Sequence, residues 1–204
     1  MQDLDEDRLA QQPGADIVVA QGTESGGPGG TRATLPLVPA VVDAVAPTPV
    51  LAAGGIADGR GLAAALALGA HGALIGTRFY ASTEAQGRLS AKQRIVAAHG
   101  SETLRTRVFD IVRGYGWPRG YYGRALHNEF MTRWSGHEDE LMEALPVERT
   151  AYHEAMGDGN FDTTVVWAGE AVDLIHSVED AATLVERISL EAEAQLGLCA
   201  KLLR

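Results

Sequence analysis

The chain has 204 residues, 46% of them hydrophobic, enough for one domain with a real core and a small appendage. Twenty-seven acidic against 17 basic residues give a formal charge of −10, which repels phosphate backbones and excludes a counterion-driven nucleic-acid binder. No apolar run approaches the roughly 20 residues needed to span a bilayer, the start Met1-Gln-Asp-Leu-Asp-Glu-Asp7 is acidic where a signal peptide would be basic, and the expected location is the cytoplasm. The single Cys199 has no partner for a disulfide or a zinc site.

Along the chain, Asp16-Ile-Val-Val-Ala20 is a short apolar run between Gly14 and Gly22, the pattern of a parallel strand buried on both faces. Leu37 to Ala46 predicts a helix stopped by Pro47 and Pro49, and Val50-Leu-Ala-Ala53 a second strand. Asp58 is placed to cap a helix over Leu62–Leu68, Gly69 to close it, and Ala73-Leu-Ile75 to form a third strand. Alternating strands and helices with short loops predict right-handed βαβ units on a parallel sheet. Further on, helices are expected over Thr83–Ala98 and Leu104–Val112, and a loop over Gly114–Gly123, rich in aromatic residues and breakers and placed to cover something. From residue 169 onward the apolar spacing is helical.

Three glycine-bearing loops follow the three strands at their C-terminal ends: Gln21–Gly30, Gly54–Gly61 and Gly76–Phe79. That is the functional face of a β/α barrel, whose last two loops commonly hold a phosphate on backbone N–H groups. Gly54, Gly55, Gly76 and Thr77 are the expected phosphate ligands, Thr77 adding its hydroxyl, while Asp58 would be repelled and turn back onto its own helix. Tight βα turns alone are the plain alternative for any one of these glycines. A dinucleotide fingerprint and a Walker lysine are missing, and Gly22-Thr-Glu-Ser-Gly26 has its serine one place late for a nucleophile elbow.

The wording Val19-Ala-Gln-Gly-Thr-Glu-Ser-Gly-Gly27, Leu51-Ala-Ala-Gly-Gly-Ile-Ala-Asp-Gly-Arg-Gly61 and Leu74-Ile-Gly-Thr-Arg-Phe79, with Trp117-Pro118, Gly123-Arg124 and Asn128, resembles the nitronate monooxygenases, formerly 2-nitropropane dioxygenases, over nearly the whole chain. The resemblance implies a TIM (β/α)8 barrel, an FMN cofactor, and oxidation of a small-molecule alkyl nitronate by O2 to a carbonyl compound and nitrite. It implies flavin contacts from Gln21 and Gly26, and phosphate contacts from Gly55, Gly76 and Thr77. It also puts the catalytic base, a histidine in the family, at Pro28. Proline can neither take a proton nor donate a hydrogen bond, so no catalytic residue is assigned there.

The family barrel has eight strands, whereas this sequence matches only about the last three. The expected fold class is therefore α/β: residues 1–98 a partial barrel bearing the FMN phosphate loops, residues 99–204 a mainly helical region packed on it. A partner chain completing the barrel, or a homo-oligomer, is one expectation; a gene fragment or a late start codon are the others. The competing functions are a non-catalytic flavin-binding remnant or partner subunit, and an FMN-barrel enoyl-thioester reductase. No metal, nucleic acid or membrane is expected.

Among single residues, Glu24 could orient the first loop or sit in solvent, and Arg78 could face the ligand or pair with an acidic residue. Tyr115, Trp117, Tyr121 and Tyr122 could pack over the cofactor or against the core. The six histidines read as surface or helix-capping residues, with His127 set apart because the resemblance places its stretch near the barrel mouth; the Glu138-Asp-Glu140 run reads as a solvated helix start, and Met131, Met142 and Met156 as ordinary core filling.

Overall fold

A computed structural model describes residues 2 and 14–202. Strand β1 (Val18–Gln21) pairs in parallel with β3 (Val50–Ala53), and β3 with β4 (Gly72–Leu74), in the spatial order β1-β3-β4. Helix α1 (Thr34–Val45) links the first pair and α2 (Gly59–Ala67) the second. The strands are covered fully on one face only: Val19 and Leu51 are half-buried and Leu74 is 55% exposed, a correction to the expectation of strands buried on both faces. Val18, Ala20, Val50 and Ala52 pack with Leu37, Val38, Val41 and Val45 of α1 in one buried cluster.

Helix α1 begins three residues earlier than the apolar pattern suggested. Pro36 sits in its first turn, where a missing N–H costs nothing, while Pro39 lies inside the helix. Its first amide is satisfied from outside, as described below. Helix α2 starts as expected on Asp58, whose carboxylate accepts the N–H groups of Arg60 and Gly61 at 3.0 and 3.1 Å. Gly69, at φ +93°, closes the turn after it.

A second, antiparallel sheet was not expected. It has the order β2-β6-β5, from Gly27–Gly29, Tyr122–Leu126 and Thr103–Thr106. The predicted helix over Leu104–Val112 is thus a strand followed by a shorter helix α5 (Val108–Arg113), preceded in the chain by α3 (Thr77–Tyr80) and α4 (Leu89–Ala97). Thr103 and Thr106 are buried while Leu104 is exposed, and β-branched residues suit a pleated surface better than a helix. Helix α4 is shorter than the predicted Thr83–Ala98.

Beyond β6, helices α6 (Glu129–Trp134), α7 (Glu138–Glu143) and α8 (Leu145–Asp158) surround Phe109, Phe130 and Tyr152, whose rings stack or meet edge-on at 5.7 to 6.4 Å. Glu138–Glu140 opens α7 as read from sequence, and Met131 is buried; Met142 and Met156 are half exposed, a correction to the core-filling reading. The last helix, α9 (Ala181–Leu202), lies along α2, and Glu191 accepts the backbone N–H of Gly59 at 3.0 Å. Among the described residues no helix is long and apolar enough to cross a membrane, and no cluster of three potential metal ligands occurs.

Candidate active site

The loops at the C-terminal ends of β1, β3 and β4 converge on one pocket of about 380 Å3. All six residues singled out from sequence line it: Gln21, Gly26, Gly54, Gly55, Gly76 and Thr77. Tyr80, Trp167 and Gly169 complete much of the wall; Tyr80 follows the marked Gly76–Phe79 loop directly, whereas nothing in the sequence had marked Trp167 or Gly169 as pocket residues.

Each glycine is there for a different reason. Gly54 and Gly55 turn the chain at φ +102° and +73°, a conformation that side chains resist. A Cβ on Gly26 would come within 2.8 Å of the Ala168 backbone, so close packing requires that glycine. Gly76 differs from both. Its φ of −91° suits any residue, and a Cβ built on it would meet nothing within 4 Å. Neither backbone geometry nor packing within this chain calls for glycine there; what the missing side chain provides is room in the pocket.

The polar groups are also arranged. Backbone N–H groups of Gly55, Gly76 and Thr77 donate to no acceptor among the described residues. The Thr77 hydroxyl oxygen accepts the Gly169 N–H at 3.0 Å, which leaves its proton to donate elsewhere. The Gln21 side-chain amide donates to Ser25 Oγ at 2.8 Å and to the Pro28 carbonyl at 3.0 Å, so its orientation is fixed. Pro28 itself lies in β2, an edge strand, opposite Gly123.

The first loop is held from two sides. Glu24 accepts the Thr34 N–H at 3.0 Å and the Thr34 hydroxyl at 2.6 Å, so the loop carboxylate caps α1 in place of a side chain from Ala33. From the other side come Arg105 and Arg124, which face one another across β5 and β6. Arg105 donates to the carbonyls of Thr23 (2.9 Å), Ser25 (3.3 Å), Gly27 (3.4 Å) and Tyr122 (2.5 Å) and to Thr23 Oγ1 (3.2 Å). Arg124 donates to the Thr23 carbonyl at 3.0 Å and pairs with Glu170 at 2.8 Å. Burial first, and the neighbouring Arg124 charge second, push the Arg105 guanidinium down to about 10, so it stays charged at neutral pH.

Arg78, beside the pocket in sequence, is fully buried and turned away from it. It donates to the carbonyls of Ala81 and Ser177 at 2.9 and 2.5 Å and lies 4.0 Å from Glu179. Its role is structural. His127 contacts Thr132 at 3.2 Å and does not reach the pocket, nor do Tyr115, Trp117, Tyr121 and Tyr122, which wall a separate cavity.

A family model for nitronate monooxygenase matches residues 3–191. The chain is similar to the nitronate monooxygenase npaC of Metarhizium robertsii, at 40% identity over 194 residues, 89% of this chain and 53% of that protein. Among solved structures it resembles FabK from Thermotoga maritima, with a TM-score of 0.85 at 32% identity, covering 98% of this chain and 62% of that one. A nitroalkane oxidase from Streptomyces ansochromogenes superposes with a TM-score of 0.79 at 28% identity, covering 98% and 58%. The chain spans about half the length of the curated relatives it matches. Loops, fold and sequence agree, and the chain belongs to the nitronate monooxygenase family.

Proposed function

We propose that the glycine-lined pocket takes the phosphate end of FMN and that the chain serves the oxidation of alkyl nitronates by O2 to carbonyl compound and nitrite. The observation that carries the reading is the set of unengaged N–H groups on Gly55, Gly76 and Thr77 around the room left by Gly76. Converging amides of this kind suit an anion without any lysine. On this reading Gly55, Gly76 and Thr77 hold the phosphate, Gly54 shapes the turn, and Gln21 and Gly26 approach the ring. The three parallel strands are then consecutive strands of a β/α barrel, with residues 1–98 as its part and residues 99–204 packed on it.

A flavin held there would supply the redox chemistry between the nitronate and O2. The chain's own residues orient and bind. The Gln21 amide, held by Ser25 and the Pro28 carbonyl, presents a fixed polar edge. Pro28 cannot remove a proton from a neutral nitroalkane, so the reading takes the preformed nitronate, already a carbanion, as the substrate.

The test begins with an absorbance spectrum of the desalted protein and titration of colourless protein with FMN. Saturable binding at about one FMN per chain, with a preference for nitronate over the neutral nitroalkane in nitrite release, is the expected result. Failure to bind FMN at large excess would remove the cofactor reading. FMN binding without nitronate turnover would leave the non-catalytic subunit. The likeness to FabK favours an enoyl-thioester reductase as the second reading, and oxidation of NAD(P)H that depends on an enoyl thioester would establish it.

A further inference from the structure

A second cavity, of about 260 Å3, lies under the Gly114–Tyr121 loop and shares no residue with the glycine-lined pocket. Tyr115, Trp117, Tyr121 and Tyr122 form its walls with Ile111, and Asp110 belongs to its lining. Asp110 is only 5% exposed, and neither carboxylate oxygen has a hydrogen-bond partner among the described residues. A buried carboxylate left in this state is costly, because an unmatched charged acceptor loses its hydration without replacement. Burial raises its pKa; the Trp117 indole, the Gly123 N–H and the Arg113 charge, which lie near it, act in the opposite direction.

The groups around the carboxylate restrict what could fill the cavity. Arg113 is engaged with the Tyr115 ring at 4.7 Å from its centroid. Arg107 and Arg119 stand exposed on the cavity lining. A bare cation would meet the Arg113 charge that acts on the carboxylate and two further guanidinium groups on the lining. A metal ion would find a single oxygen-bearing acid where it needs several. A ligand with an ammonium group at one end and a carboxylate at the other meets neither objection. Its N–H donors would satisfy the Asp110 oxygens, its carboxylate would face Arg107 and Arg119, and an apolar side chain would lie on the aromatic walls.

We propose that this cavity is a binding site for a small apolar α-amino acid, with Asp110 as the acceptor of its ammonium group. The site is one aromatic ring removed from the glycine-lined pocket, since Arg113 also lies 5.8 Å from the centroid of Trp167, which lines that pocket.

The probe is L-leucine, titrated into the full chain while tryptophan fluorescence and heat are followed, with 4-methylpentanoate as the analogue lacking the ammonium group. Saturable leucine binding, at least tenfold weaker for 4-methylpentanoate and at least tenfold weaker in Asp110→Asn, is the expected result. A Trp117→Leu variant, read by heat alone, should also lose at least fivefold in affinity, which covers the case in which Asp110→Asn does not fold. No saturable leucine binding, equal binding of 4-methylpentanoate, or wild-type affinity in a folded Asp110→Asn would overturn the proposal. FMN titration is a separate reading on a separate pocket, so either result leaves the other intact.

Discussion

Gly76 and Gly55 separate the requirements of a ligand from those of a fold. Alanine at 76 finds open space and an ordinary φ, so Gly76→Ala should leave the unfolding midpoint within about 0.5 kcal/mol of wild type. The same methyl group would intrude on the pocket and weaken FMN binding by tenfold or more. Alanine at 55 must instead adopt φ +73°, and Gly55→Ala should lose about 1–2 kcal/mol in urea denaturation as well as cofactor affinity. A Gly76→Ala protein that binds FMN like wild type would refute the placement of the phosphate. Asp58 gives a second test at this scale. Burial raises its pKa, but hydrogen bonds from Arg60 and Gly61 outweigh that and hold it below the usual carboxylate range. Its stabilisation is therefore present above about pH 4, the unfolded value, and is lost as the pH falls through the lower folded value. Asp58→Ala should cost about 1 kcal/mol at neutral pH and flatten that part of the acid limb.

Gly54, Gly55, Gly76 and Thr77 were legible because glycine-bearing loops after strands carry information in the sequence itself, whereas Gln21 and Gly26 came only from the family resemblance. Glu24 was not decided, since a carboxylate in a loop reads alike whether it caps a helix or meets water. Trp167 and Gly169 arrive from a distant segment with no spacing that announces them, while Tyr80 lies one residue past the Gly76–Phe79 loop, at the end of the helix that Thr77 begins.

Among the elements, the parallel strands and α2 could be read because continuous apolar runs, an Asp cap and a closing glycine all pointed one way. The antiparallel sheet could not. Gly27-Pro28-Gly29 has no hydrophobic pattern and is a strand only because Tyr122–Arg124 lies beside it. Leu104, Val108, Ile111 and Val112 mimic a helical stripe, yet pairing with β6 takes the first of them into a strand and exposes it. Helix α1 supplies the prediction at this scale. Its first amide depends on Glu24, so Glu24→Gln, which keeps the shape and removes the charge, should cost about 0.5–1 kcal/mol. The loss should appear in hydrogen exchange as faster opening of the first turn of α1 and of the Gln21–Gly30 loop together.

At the scale of the whole molecule, particular side chains tie the two sheets and the helical cluster together. Phe109 is one, fully buried between Phe130, Tyr152 and Trp167. Phe109→Ala should destabilise the chain by about 3–5 kcal/mol, measured by the denaturation midpoint. Arg105 is another, reaching with Arg124 from the antiparallel sheet to the loop that leaves the parallel one. It serves five oxygens at once, on four residues of two separate segments. An ammonium group has three protons to offer, and none of its geometry is planar. In a saturation library at position 105 scored for soluble expression, lysine should therefore rank with the uncharged residues, and a substitution table based on charge would misjudge the position.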